Sequence, residues 1–146
     1  MTTKVTVLPP ANREQSTPPG KYIAIVDDDE SVCRAFARLL RAYSFDPQIY
    51  QSGDEFLESV RNNVPACLIV DVHLGDMNGF EVLRRLASMG MNIPAIVVTA
   101  RDESSVRRDF ALCAATALIR KPVEGKSLLD AIEIAMSTFG GRAAEG

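Results

Sequence analysis

Five polar groups stand directly after short apolar runs, and their types suit one kind of chemistry. Val26 is followed by Asp27 and Asp28, Val70 by Asp71, Val98 by Thr99, and Arg120 by Lys121 and Pro122. Three carboxylates brought together repel one another, so without a cation at least one tends to stay protonated. A hard divalent ion relieves that repulsion, and magnesium favours a few carboxylates completed by water and a phosphate oxygen. A lysine facing the same cluster offers positive charge to phosphate oxygens, and a hydroxyl offers a hydrogen bond. A carboxylate nucleophile, a magnesium (or manganese) ion, a lysine and a hydroxyl are parts suited to phosphoryl transfer. Taken singly, each has a plainer meaning. An acid after a strand is usually a loop residue or a helix N-cap, and Asp29 is read as such a cap, for a helix beginning near Ser31.

These groups meet only if the elements before them end on one edge. Tyr22–Val26, Ala66–Val70, Ala95–Val98 and Ala117–Ile119 read as short apolar strands, with a weaker one over Pro47–Tyr50. Between them run helical patterns. Val32, Phe36, Leu39, Leu40 and Tyr43 share one face. Ser52 followed by Glu55 predicts a capped helix containing Phe56, Leu57 and Val60. Phe80, Leu83, Leu86 and Ala87 mark a third helix, Val106 and Phe110 a fourth over Ser104–Cys113, and Leu129, Ile132, Met136 and Phe139 a fifth. Strand and helix alternate five times. Strands apolar throughout and joined by helices predict an α/β fold, a (βα)5 doubly wound five-stranded parallel sheet in a three-layer sandwich. In such sheets ligands sit outside the carboxyl ends of the strands, where these groups fall.

The chain has 146 residues, 47% of them hydrophobic and 24% charged, which suits one globular domain. Proline-rich residues 1–20 predict a flexible leader, 21–139 the folded domain, and 140–146 a flexible tail. A net charge of -3 argues against nucleic-acid binding as a main task. Cys33, Cys67 and Cys113 lack zinc-site spacing and read as reduced core thiols. No run is long enough to span a bilayer and the leader lacks a signal-peptide core, so a cytoplasmic location is expected.

The segments IVDDDESV, LIVDVHLGDMNGFEVL, IPAIVVTA and IRKPV, in this order over Lys21–Phe139, resemble the CheY-like, flavodoxin-like receiver domain of bacterial two-component response regulators. The style is that of receivers that precede a LuxR-type helix-turn-helix. The resemblance implies that Asp71 is the phosphoacceptor and that Asp28 binds magnesium with Asp27 and the backbone carbonyl of His73. It implies that Thr99 and Lys121 contact the phosphoryl group, that Lys121–Pro122 is cis and that Gly79 fits the turn before the third helix. The domain would then be a switch, not a metabolic enzyme, with a histidine kinase or histidine phosphotransfer protein as donor. A homodimer through the face of the fourth and fifth helices is one expected assembly. The basic stripe Arg34, Arg38 and Arg41 would serve docking, if it is more than a solvated face. Leu118 stands where receivers carry an aromatic switch residue, and Gly75 where they carry proline. With Leu118, Ala100 and Arg101 fall at switch and tuning positions, and Arg101 and His73 are expected to limit water access to the phosphoryl group. Two rivals share the fold: a phosphorylation-independent binding module, and a magnesium-dependent phosphohydrolase. The latter would usually need a second acid close after Asp71, where His73 stands, and a substrate-covering cap.

Overall fold

The computed structural model describes residues 22–100, 104–113, 115 and 117–145, with 138–145 described as backbone only. Five strands alternate with five helices among them: β1 (Tyr22–Val26), α1 (Glu30–Ala42), β2 (Asp46–Tyr50), α2 (Gly53–Val60), β3 (Cys67–Asp71), α3 (Gly79–Ser88), β4 (Ala95–Thr99), α4 (Ser104–Ala111), β5 (Ala117–Arg120) and α5 (Gly125–Glu145). All strand pairs are parallel, in the order β2-β1-β3-β4-β5. The side on which successive strands are added reverses between β1 and β3, and their carboxyl ends meet at the centre of the edge that carries the acids.

The unbroken apolar strands make sense once alternate side chains are followed. Successive residues of a strand point to opposite faces. Ala24, Val26, Leu68, Val70, Ala95 and Val97 join one core with Phe56 and Val60 of α2, Phe80 and Val82 of α3, and Val106 of α4. Ile23, Ile25, Cys67, Ile69, Ile96 and Val98 join the other with Cys33, Phe36 and Leu40 of α1, and Leu128 and Ile132 of α5. A sheet buried on both faces needs apolar residues at every position.

Local signals set the helix ends. Asp29 caps α1, its carboxylate accepting from the Ser31 and Val32 amides. Ser52 caps α2 by accepting from Glu55, while the Glu55 side chain accepts from the Gln51 amide. α1 and α3 both end in a left-handed residue flanked by two returning hydrogen bonds. At α3 that residue is Gly90, φ 77°, with Gly90 N–H to Ala87 O and Met91 N–H to Leu86 O. At α1 it is Ser44, φ 68°, with Ser44 N–H to Arg41 O and Phe45 N–H to Leu40 O.

Three sequence expectations need correction. Tyr43 lies on the cap of α1 and is exposed, while Cys33 and Ala37 complete the buried face. On α5 the fully buried leucine is Leu128, with Leu129 only partly covered. The rest of the buried stripe is Ile132 with Ala131 and Ala135, two small residues that let α5 lie close to the sheet. α5 also continues to Glu145, past the boundary expected at Phe139. Glycine weakens a helix by about 1 kcal/mol but does not stop it, and Arg142, Ala143, Ala144 and Glu145 are good helix formers.

Candidate functional site

The carboxyl ends of β1, β3, β4 and β5 open on one edge, and the groups picked out from the sequence gather there. Asp27, Asp28 and Asp71 each offer an oxygen, and these three atoms lie within 4.8 Å of one another. Asp27 and Asp71 are buried, and Asp28 is exposed at the rim. Lys121 reaches in from beyond β5, its Nζ 3.2 Å from Asp27 Oδ2 and 3.6 Å from Asp71 Oδ1. Its backbone amide donates to Thr99 O at 2.8 Å, which ties the lysine segment to the end of β4. The Lys121–Pro122 peptide is cis. Thr99 closes β4 and is buried, and Ala100 follows it, exposed.

The first carboxylate is anchored by its own turn. Asp27 Oδ1 accepts from the Asp29 amide at 3.0 Å, and the Cys33 thiol donates to Asp27 O at 3.2 Å. That contact gives the buried thiol a structural place, and burial together with the charge on Asp27 pushes its pKa up to about 11. It is therefore a poor nucleophile at neutral pH.

Asp71 is held differently. Burial, then the charge on Asp27, push its carboxyl up to about 6, against the opposing pull of Lys121 and the His73 backbone N–H. Its Oδ1 is buried and accepts no hydrogen bond among the described residues. A buried, unsatisfied carboxylate oxygen that faces two other acids calls for a cation or a proton. Burial alone would lower the Lys121 ammonium, but Asp71 and Asp27 outweigh it, and its pKa lies above the usual value. Among the described residues one lysine faces two buried acids, which leaves their charge net negative. The donor set is all oxygen and partly open to solvent, which fits magnesium or manganese better than a softer metal.

The loop after β3 is closed by a bridge between His73 and Asn78 and by the hydrogen bond from Gly79 N to Val72 O at 2.8 Å. Asn78 then caps α3 through the Phe80 amide. A Cβ on Gly79 would run into the Asp71 carbonyl and Val72, so only glycine permits this close return. The His73 side chain is exposed. Leu118 is half-buried in β5 against the core on the α4 side. Arg101 lies outside the described residues. Sequence reasoning missed Asp76, whose carboxylate accepts from the amides of Gly53 and Asp54 at the start of α2.

Comparison with known proteins agrees with this geometry. Residues 23–133 match the family described as response regulator receiver domain. Over 114 residues the chain is 35% identical to the transcriptional regulatory protein FixJ of Rhizobium meliloti (strain 1021), covering 76% of this chain and 54% of FixJ. It is 31% identical to the response regulator protein TodT of Pseudomonas putida over 114 residues, 78% of this chain and 50% of TodT. The chain thus spans about half the length of these curated relatives. Among solved structures, a CheY-like receiver domain protein from Methanospirillum hungatei JF-1 superposes with a TM-score of 0.78 at 26% identity, covering 87% of this chain and 99% of that one. FixJ-N superposes with a TM-score of 0.74 at 32% identity, over 80% and 93% of the two chains. Receiver domains are signalling modules that bind magnesium through acidic residues and work with histidine kinases or phosphotransfer proteins. No helix among the described residues is long and apolar enough to cross a membrane. With a family match over most of its folded length and the acidic cluster in place, this chain belongs to the response regulator receiver domain family.

Proposed function

We propose that Asp71 accepts a phosphoryl group from a histidine kinase or histidine phosphotransfer protein, and that the resulting aspartyl phosphate switches protein–protein contacts in two-component signalling. The observation that carries this reading is the buried Oδ1 of Asp71, which accepts no hydrogen bond among the described residues and faces Asp27 and Asp28 with Lys121 Nζ 3.6 Å away. An Asp71 oxygen attacks phosphorus, the bond from phosphorus to the donor imidazole nitrogen breaks, and that nitrogen keeps the electron pair. Asp28 and Asp71, with Asp27 partly through water and the His73 carbonyl, would hold magnesium. When bound, the ion neutralises charge on the phosphoryl oxygens and quenches the repulsion among the acids. Lys121, already drawn to Asp71, pairs with a phosphoryl oxygen. Thr99, at the end of β4, donates its hydroxyl to another. Such chemistry depends mainly on position and charge, so it suits groups fixed at strand ends.

Leu118 favours a second reading, a binding module indifferent to phosphorylation, because leucine lacks the ring and polar tip of the usual switch residue. One experiment separates the two. Intact mass is measured after incubation with a small acyl phosphate and magnesium, for wild type, for Asp71→Asn and without magnesium. A single phosphoryl adduct in wild type, absent from both controls, is the expected result. No adduct, under conditions that modify a known receiver, would leave the binding-module reading standing.

A further inference from the structure

Outside the acidic cluster, one carboxylate makes a contact that composition and spacing do not explain. Asp76 lies in the loop between β3 and α3, yet its two oxygens are spent on another helix. Oδ1 accepts from the Gly53 amide at 3.1 Å and Oδ2 from the Asp54 amide at 3.0 Å. These amides have no partner within α2, because the first amides of any helix point away from it. Ser52 already caps the same end through Glu55, so Asp76 is a second cap supplied from elsewhere in the chain. The amides win over partial burial and hold the Asp76 carboxyl below its usual pKa.

A second contact lies beside the first. A Cβ at Gly53 would stand 2.8 Å from Met77 Sδ and 3.0 Å from Val82. Residues 76 and 77 therefore grip the start of α2 through a carboxylate on its amides and a thioether on its bare Cα. The gripped loop is the one that borders the site. Its base is closed by the His73–Asn78 bridge and by Gly79 N–H to Val72 O. Its shoulder, Gly75, lies beside the rim acid: a Cβ there would sit 3.5 Å from Asp28 Oδ2.

We infer that Asp76 is a positioning residue, which fastens the loop after β3 to the start of α2 and so holds the His73 backbone and the surroundings of Asp28 in the arrangement that receives the divalent ion. The inference rests on the magnesium site proposed above. It touches neither the ion nor the phosphoryl group directly. The alternatives are a cap that only stabilises α2, or a negative charge acting at a distance.

The test is magnesium affinity, measured by calorimetry on folded protein, together with amide hydrogen exchange of the metal-free protein. Four variants accompany wild type. Asp76→Ala removes both acceptors, and Asp76→Asn keeps one carbonyl oxygen. Gly53→Ala displaces Met77 and leaves the carboxylate in place. Asp54→Asn removes a nearby exposed charge without breaking either contact.

Magnesium binding is expected to weaken on the order of tenfold in Asp76→Ala, less in Asp76→Asn and Gly53→Ala, and negligibly in Asp54→Asn. Exchange at Gly53, Asp54 and the loop amides should quicken together in the first three. If Asp76→Ala fails to fold, Asp76→Asn and Gly53→Ala decide the matter. Wild-type affinity in the folded Asp76 and Gly53 variants, with only a lowered melting temperature, would reduce Asp76 to a helix cap. Equal weakening in Asp54→Asn and Asp76→Asn would mean that charge alone matters. Either result overturns the inference. A wild-type protein that binds no magnesium would instead overturn the site itself.

Discussion

Replacing Asp71 by asparagine is expected to make the metal-free domain more stable at pH 7.5, although it removes the residue on which the chemistry depends. In the folded protein the Asp71 carboxyl is pushed up to about 6, against 3.8 for an unperturbed aspartate. Each unit is worth about 1.36 kcal/mol, so the ionised carboxylate costs the fold roughly 3 kcal/mol, or about 2 once solvent reaching the rim is allowed for. The sign follows from proton uptake. Because the folded-state value is raised, the folded protein holds a proton that the unfolded chain has already released. Stability from this group is fully present below about 3.8 and is lost as pH rises through about 6. Asparagine cannot ionise, so the variant keeps what wild type loses. Urea unfolding in a chelator, followed by circular dichroism at pH values from 4 to 7.5, reads the difference. The Asp71→Asn advantage should be about 2–3 kcal/mol at pH 7.5 and should shrink to a few tenths at pH 4. Magnesium should narrow it again at neutral pH, because the ion binds and stabilises wild type preferentially. Equal midpoints at pH 7.5, or an advantage as large at pH 4, would refute the view that buried, repelled charge sets the energetics of this site.

Two further substitutions test how the backbone frames the site. Gly79→Ala drives a methyl group into the Asp71 carbonyl and Val72. It is expected to cost about 2 kcal/mol or more and to slow acyl-phosphate labelling of Asp71 even where the protein remains folded, both readable from one sample series. Ser44→Gly relieves a left-handed serine, φ 68°, at the end of α1, far from the chemistry. It is expected to raise unfolding stability by up to about 1 kcal/mol and to leave labelling unchanged. A loss of stability would mean that the serine side chain contributes something its backbone angle conceals.

The parts legible in the sequence were those with a strong local signal. Unbroken apolar strands between amphipathic helices predicted the parallel sheet, and polar residues at strand ends predicted the cluster, because a parallel sheet carries all those ends to one edge. Asp29 and Ser52 were readable as caps because their partners lie within three residues. Asp76 was not readable. It looks like any loop acid, and its partners are backbone amides 22 and 23 residues earlier, which have no side-chain identity. Tyr43 fits the helical period of α1 but falls on its cap, where the stripe has turned off the sheet. Leu128 and Leu129 are chemically identical neighbours. Only the approach of α5 to Ile96 and Val98 decides which of them is covered.

The division of each strand between two cores carries a consequence for how such a chain can change. A residue's partner core is set by whether its place in the strand is odd or even, and the strand-end acids belong to the same count. Adding one residue inside β3 would exchange Leu68 and Val70 with Cys67 and Ile69 across the sheet. Adding two would restore the faces but carry Asp71 about 6.6 Å beyond its partners. Length inside the strands is thus frozen twice over, by packing and by chemistry, whereas the connections that enter the sheet on the opposite edge are bound by neither. Insertions and deletions can accumulate on that side of the molecule while the acidic edge keeps a fixed spacing.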